Sequence, residues 1–157
     1  MGINRPSLYA AFGSKEQLFR KALDRYQTGP QSFLGQALRK PTARAVAEAM
    51  FSGFIRMLRG RDKVRGCLIV YGALACGDEA QPVREELARL RQAAVSTLRE
   101  RFERAVQDGD LPEGTDCATL ARYIATVLNG LAVQAASGAT EAGLRRVSTM
   151  AMRAWPS

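Results

Sequence analysis

The sequence predicts an all-α protein, and three observations carry that prediction. Alanine, the strongest helix former, occurs 25 times, against 21 for Val, Ile and Thr together. Apolar residues recur at spacings of three and four, and no stretch alternates with period two as a half-buried strand does. Pro, Gly and short polar residues stand where helices start and stop. With 157 residues, 46% hydrophobic and 24% charged, the chain can bury a core without staples. One domain with a small appendage is expected.

The elements follow in order. Asn4 is a good N-cap and Pro6 suits a first turn, so residues 5–11 form a short helix. Phe12-Gly13 is a turn. Ser14 opens a helix over 14–27, with Gln17 at capping-box spacing. Leu18, Phe19, Ala22, Leu23 and Tyr26 share its apolar face, and Thr28-Gly29-Pro30 stops it. A loose stretch holding Phe33, Leu34 and Leu38 leads to Pro41-Thr42, which opens the next helix. Its stripe is Val46, Met50, Phe51, Phe54, Met57 and Leu58. Residues 60–65 are a basic loop, and 66–77 a short helix apolar on nearly all sides.

Gln81-Pro82 begins the longest helix, striped by Val83, Leu87, Leu90, Ala94, Leu98, Phe102 and Val106. Gly109, Pro112 and Gly114 end it. Thr115 or Asp116 caps a helix over 115–137, and Thr140 caps a last one over 140–155. Seven helices or so result.

Several functions are excluded. There is no His, which removes Ser-His-Asp and Cys-His catalysis and imidazole metal ligands. Glu85-Glu86, Glu100 and Glu103 sit at helical spacing from Arg89, Arg99 and Arg104, as surface pairs do, so no acid/base pair is in view. An enzyme is not expected, nor a cofactor or a metal. The cysteines at 67, 76 and 117 are odd in number and form no Cys-x-x-Cys, which suits a reducing cytoplasm. The longest apolar stretch, 67–76, is too short to span a membrane, and the start carries no signal-peptide pattern.

Net charge is +8, unevenly spread: residues 1–65 hold 13 basic and 4 acidic side chains, the remainder 10 and 11. A polyanion partner at one end fits this asymmetry.

Residues 2–19 read Gly-Ile-Asn-Arg-Pro-Ser-Leu-Tyr-Ala-Ala-Phe-Gly-Ser-Lys-Glu-Gln-Leu-Phe. This closely resembles the end of the helix-turn-helix domain in TetR/AcrR-type transcriptional regulators. The resemblance fixes about ten positions across a turn; the remainder of the chain is similar in architecture alone. It implies a recognition helix at 5–11, with Leu8 and Phe12 pinning it to the body. Arg5, Ser7, Tyr9, Ala10 and Ala11 would face double-stranded operator DNA, and Tyr9 and Lys15 would meet phosphates. It also implies two preceding helices that this sequence does not contain. Residues 1–27 are then a partial helix-turn-helix, and a truncated reading frame is expected.

The resemblance assigns 28–157 to effector binding and dimerisation. Candidate effector residues are Met50, Phe54, Met57, Cys67, Tyr71, Phe102 and Tyr123, suited to a small apolar or weakly polar molecule. Cys67, beside Lys63 and Arg65 at a helix start, is also a candidate reactive thiol. Candidate homodimer residues are Tyr123, Val127, Leu128, Leu131, Leu144, Val147, Ala151 and Trp155. The function implied is a TetR-type regulator, a repressor released from its operator by a small effector. The alternative is a truncated dimerisation and ligand-binding module with little DNA binding of its own.

Overall fold

A computed structural model describes residues 11, 13–28, 33–58, 67, 69–70 and 81–156. The chain divides into two compact units, Met1–Ser32 and Phe33–Ser157. No strand occurs among the described residues.

In the first unit, α1 runs Lys15–Thr28. The capping box expected at its start is formed. The Gln17 amide donates to Ser14 Oγ (3.2 Å), and the Ser14 amide donates to Gln17 Oε1 (3.0 Å). Gly13 turns into it at φ 80°, and a Cβ there would meet Gln17 Oε1 at 1.7 Å, so Gly13 serves both the turn and the cap. Leu23 is buried and Leu18 and Phe19 are half-buried, while Ala22, placed on the same face by its spacing, is exposed.

The second unit holds α2 (Phe33–Leu38), α3 (Ala43–Leu58), α4 (Gln81–Gln107), α5 (Cys117–Ala136) and α6 (Glu141–Ala151), closed by a 3-10 turn, Met152–Ala154. The centre is α3, with nine of its sixteen residues buried. It packs against α2, α4, α5 and α6. Thr42 Oγ1 accepts from the Ala45 amide at 3.1 Å, capping α3 as the Pro41-Thr42 pair predicts. The Ala43 amide donates to the Asp110 carboxylate, 67 residues away. Arg101 of α4 donates to both the Lys40 and Pro41 carbonyls, each at 3.1 Å. The start of α3 is therefore held from two places near the end of α4.

The stretch 33–38, expected to be loose, is a helix. Phe33 packs edge-on against Phe54, with ring centroids 5.4 Å apart, and Ala37 is fully buried. A Cβ on Gly53 would lie 2.9 Å from Phe33 Cβ, so the missing side chain lets α2 close on α3. Tertiary packing forms this helix although Gly35 lowers its propensity.

On α4, Leu87, Leu98 and Phe102 of the expected stripe are buried, and Val83, Leu90, Ala94 and Val106 are half-buried. Asp116 caps α5, accepting from the Thr119 amide (2.9 Å) and hydroxyl (2.6 Å). Thr140 caps α6, accepting from the Gly143 amide. The last helix stops at Ala151 rather than 155, and Trp155 turns back to meet Phe102 edge-on, with centroids 5.7 Å apart. The predicted helices 5–11 and 66–77 and the basic loop 60–65 lie wholly or mostly outside the described residues; Ala11, Ile69 and Val70 are helical.

Two outcomes test this packing. Gly53→Ala should destabilise the protein by about 1–3 kcal/mol despite the better helix propensity of Ala, read from the urea midpoint. A neutral or stabilising result would contradict the close approach of Phe33. The second test concerns Asp116, whose carboxyl is held below its ordinary range by the Thr119 hydroxyl and amide. A folded pKa below the unfolded one gives stability above the unfolded value that fades as pH falls through the folded value. Asp116→Asn should therefore lower the melting temperature near neutral pH, with a difference from the parent that shrinks as pH drops below about 4.

Candidate functional site

Of the DNA-facing candidates, Arg5, Ser7, Tyr9 and Ala10 lie outside the described residues, as does the side chain of Lys15. Ala11 is helical and exposed. Lys15 is the first residue of α1, where backbone amides lack intrahelical partners and favour an anion.

The described effector candidates are buried or half-buried. Met50, Phe54, Cys67 and Phe102 are buried, Met57 and Tyr123 are half-buried, and Tyr71 lies outside the described residues. Phe54 is engaged by Phe33 and Phe102 by Trp155. The Tyr123 hydroxyl donates to the Ala151 carbonyl at 3.0 Å, joining α5 to the end of α6. Arg91 donates to the Ile69 carbonyl at 2.9 Å, which ties the segment around Cys67 to α4.

An open cavity of about 730 Å³ lies elsewhere, between α3 and α6. Its apolar lining is Phe51, Ile55, Met152 and Trp155. Arg44, Glu48, Arg145 and Arg153 carry its charge, and Ser52, Ser148 and Thr149 complete it. None of the effector candidates lines this cavity. Sequence reasoning took Met50, Phe54 and Met57 from the stripe of α3, but the helix is buried on several sides, and the groove takes Phe51 of that stripe with 44, 48, 52 and 55. The positions 44, 48, 51 and 55 at three- and four-residue spacing were the available signal.

The dimer candidates divide. Leu128, Leu131, Leu144 and Ala151 are buried within the chain, because the apolar stripes of α5 and α6 close their own core. Tyr123, Val127 and Trp155 are half-buried, and Val147 is half exposed. Among the described residues, the large apolar side chains left exposed are Val133, Val147 and Met150, at 40, 50 and 60%. Gly130, one turn before Val133, has open space where a Cβ would point. Sequence reasoning missed Val133 and Met150, which fall outside the main stripes.

Residues 43–151 match the tetracyclin repressor-like, C-terminal domain family. The chain belongs to the TetR family. It is a transcriptional regulator and not an enzyme. In sequence it is 25% identical over 161 residues to the HTH-type transcriptional repressor ComR of Escherichia coli, covering 99% of this chain and 75% of that protein. The HTH-type transcriptional regulator YezE of Bacillus subtilis is 31% identical over 130 residues, covering 79% of this chain and 65% of YezE. Among solved structures, a cysteine mutant of the TetR family regulator CifR, complexed with 26-base-pair operator DNA, is 41% identical. It superposes with a TM-score of 0.89, covering 98% of this chain and 81% of CifR. No helix among the described residues of this TetR-family chain is long and apolar enough to cross a membrane.

The two described cysteines are both buried, and burial, with the charges of Glu103 and Asp116, pushes the Cys117 thiol up. Thiolate is the reactive form, so Cys117 should resist iodoacetamide until the protein is unfolded. Shielding of Cys67 predicts the same there. Mass mapping after a short alkylation pulse checks both; rapid native labelling of Cys67 would restore it as a reactive thiol.

Proposed function

We propose that this protein is a homodimeric repressor that holds a palindromic operator through residues 5–15 and releases it on binding a small effector. The observation that carries the reading is the similarity to operator-bound CifR along nearly the whole chain. The formed Ser14–Gln17 cap supports it locally, because it fixes the start of α1, where Lys15 stands. The concentration of basic side chains in residues 1–65 adds a favourable field for a polyanion. On this reading Arg5, Ser7, Ala10 and Ala11 face bases, and Tyr9 and Lys15 contact phosphates. A cytoplasmic location goes with it, since that is where an operator is met.

The dimer would form through α5 and α6. The exposed Val133, Val147 and Met150 supply apolar area, and Gly130 allows helices to approach closely. Val127 and the half-buried Tyr123 are left for the edge of such a contact, while Trp155 is turned in against Phe102. Effector binding rests on the apolar residues shared by α3, α4 and α5, with Met50, Phe54, Met57, Cys67, Tyr71, Phe102 and Tyr123 as the positions to vary. A neutral or weakly polar ligand suits them, as no charged side chain is buried among the described residues.

The test begins by selecting bound duplexes from a random-sequence pool with the 157-residue chain. Recovery of a palindrome is expected, with binding that weakens steeply as salt rises. Lys15→Ala should weaken it about uniformly across sequences and lower the salt slope by about one. Met150→Glu should convert a dimer into a 17.1-kDa monomer in sedimentation and abolish palindrome binding with the fold intact. If no duplex is retained at moderate salt while the dimer persists, the chain acts instead as a dimerisation and ligand-binding module.

A further inference from the structure

We propose that the groove between α3 and α6 is a second ligand site, separate from the core effector residues, which takes a small amphiphile with an apolar body and one carboxylate. Its volume of about 730 Å³ is in the range of small-molecule sites. Phe51, Ile55 and Met152 are buried beneath the groove, and the half-buried Trp155 is the apolar side chain its wall leaves partly open. An apolar body laid along the groove would cover the open part of that indole.

The charge around it specifies the head group. Arg44 is paired with Glu48 (3.1 Å), and Arg145 with Glu141 (2.6 Å), both along single helices. Arg153 lines the same groove and has neither an ion pair nor a hydrogen bond to another described residue. One unmatched guanidinium offers one planar fork, which a single carboxylate satisfies in bidentate fashion. The Ser148 and Thr149 hydroxyls donate to the Arg145 carbonyl, so they are engaged with their own helix. A neutral ligand would leave Arg153 unused, and a dianion would have to compete with Glu48 and Glu141 for the other two guanidiniums.

The groove stays open in the proposed dimer. By the 3.6-residue period, Arg145, Ser148, Thr149 and Met152 lie on one flank of α6, and Val147 and Met150 on the opposite flank. Both surfaces can be occupied at once.

The sequence has a single tryptophan, and it lines the groove, so its fluorescence reports on occupancy. The probes are octanoate and the neutral 1-octanol, titrated into the full chain. Octanoate should shift Trp155 emission saturably, with octanol at least about tenfold weaker. Arg153→Gln should weaken octanoate about fivefold to tenfold and leave octanol unchanged. Ser52→Phe, which fills the groove without touching the charge, should abolish both responses. The proposal is overturned if octanoate gives no saturable shift, or if its affinity survives Arg153→Gln. It is also overturned if Trp155 emission changes on dilution together with the sedimentation coefficient, which would mean that a second copy of the chain covers the groove.

Discussion

The second unit, Phe33–Ser157, depends on how the chain enters α3. Three residues, Lys40, Pro41 and Ala43, are held by groups at or just beyond the end of α4: the Arg101 guanidinium on two carbonyls and the Asp110 carboxylate on the first helical amide. The geometry suits the chemistry. A cation takes carbonyls outside the helix, and an anion takes an amide at the positive end of the helix dipole. These are charge-assisted bonds, stronger than neutral ones, and they span 60 and more residues of sequence. They fix where the central helix begins, and so which of its faces meets α2, α4, α5 and α6. The Phe33–Gly53 contact and the α3 wall of the groove both inherit their position from that start.

Local chemistry made much of the fold readable. The Ser14–Gln17 box, the Thr42 cap, the Asp116 and Thr140 caps and the stop at Gly109 involve residues within a turn of one another, and each appears where the sequence places it. A cap is a short-range bargain between one side chain and nearby amides, so its pattern survives without knowledge of tertiary contacts. Helix α2 was not readable for the opposite reason. Its stability comes from Phe33 and Ala37 meeting α3, and nothing in residues 33–38 alone announces that partner.

The surfaces were harder still. Apolar periodicity says that a helix buries a face, but not whether the neighbour is the same chain or another. Leu128, Leu131 and Leu144 satisfy the pattern and close the core of one chain. Val133 and Met150 break the pattern and are left exposed. A residue available to a partner is more readily found among the exceptions to the stripe than within it, because the stripe is what intramolecular packing consumes. The groove was hidden for a related reason: its lining joins residues 44–55 to residues 145–155, and no single window of sequence contains both sides.

Helix α6 shows how few residues can serve three surfaces. Leu144 and Ala151 face inward, Val147 and Met150 face away on one flank, and Arg145, Ser148 and Thr149 border the groove on the other. Such a helix is short of apolar area for its own core, so other contacts must hold its end. Tyr123 supplies a hydrogen bond to the Ala151 carbonyl, and Phe102 receives the Trp155 ring. Those contacts come from α5 and α4, not from α6 itself. The C-terminal wall of the groove is thus positioned by the same helix, α4, that fixes the start of α3 on the opposite wall. The separation of the two walls is set both by the direct packing of α6 on α3 and by the 27-residue α4, about 40 Å long, which holds an end of each.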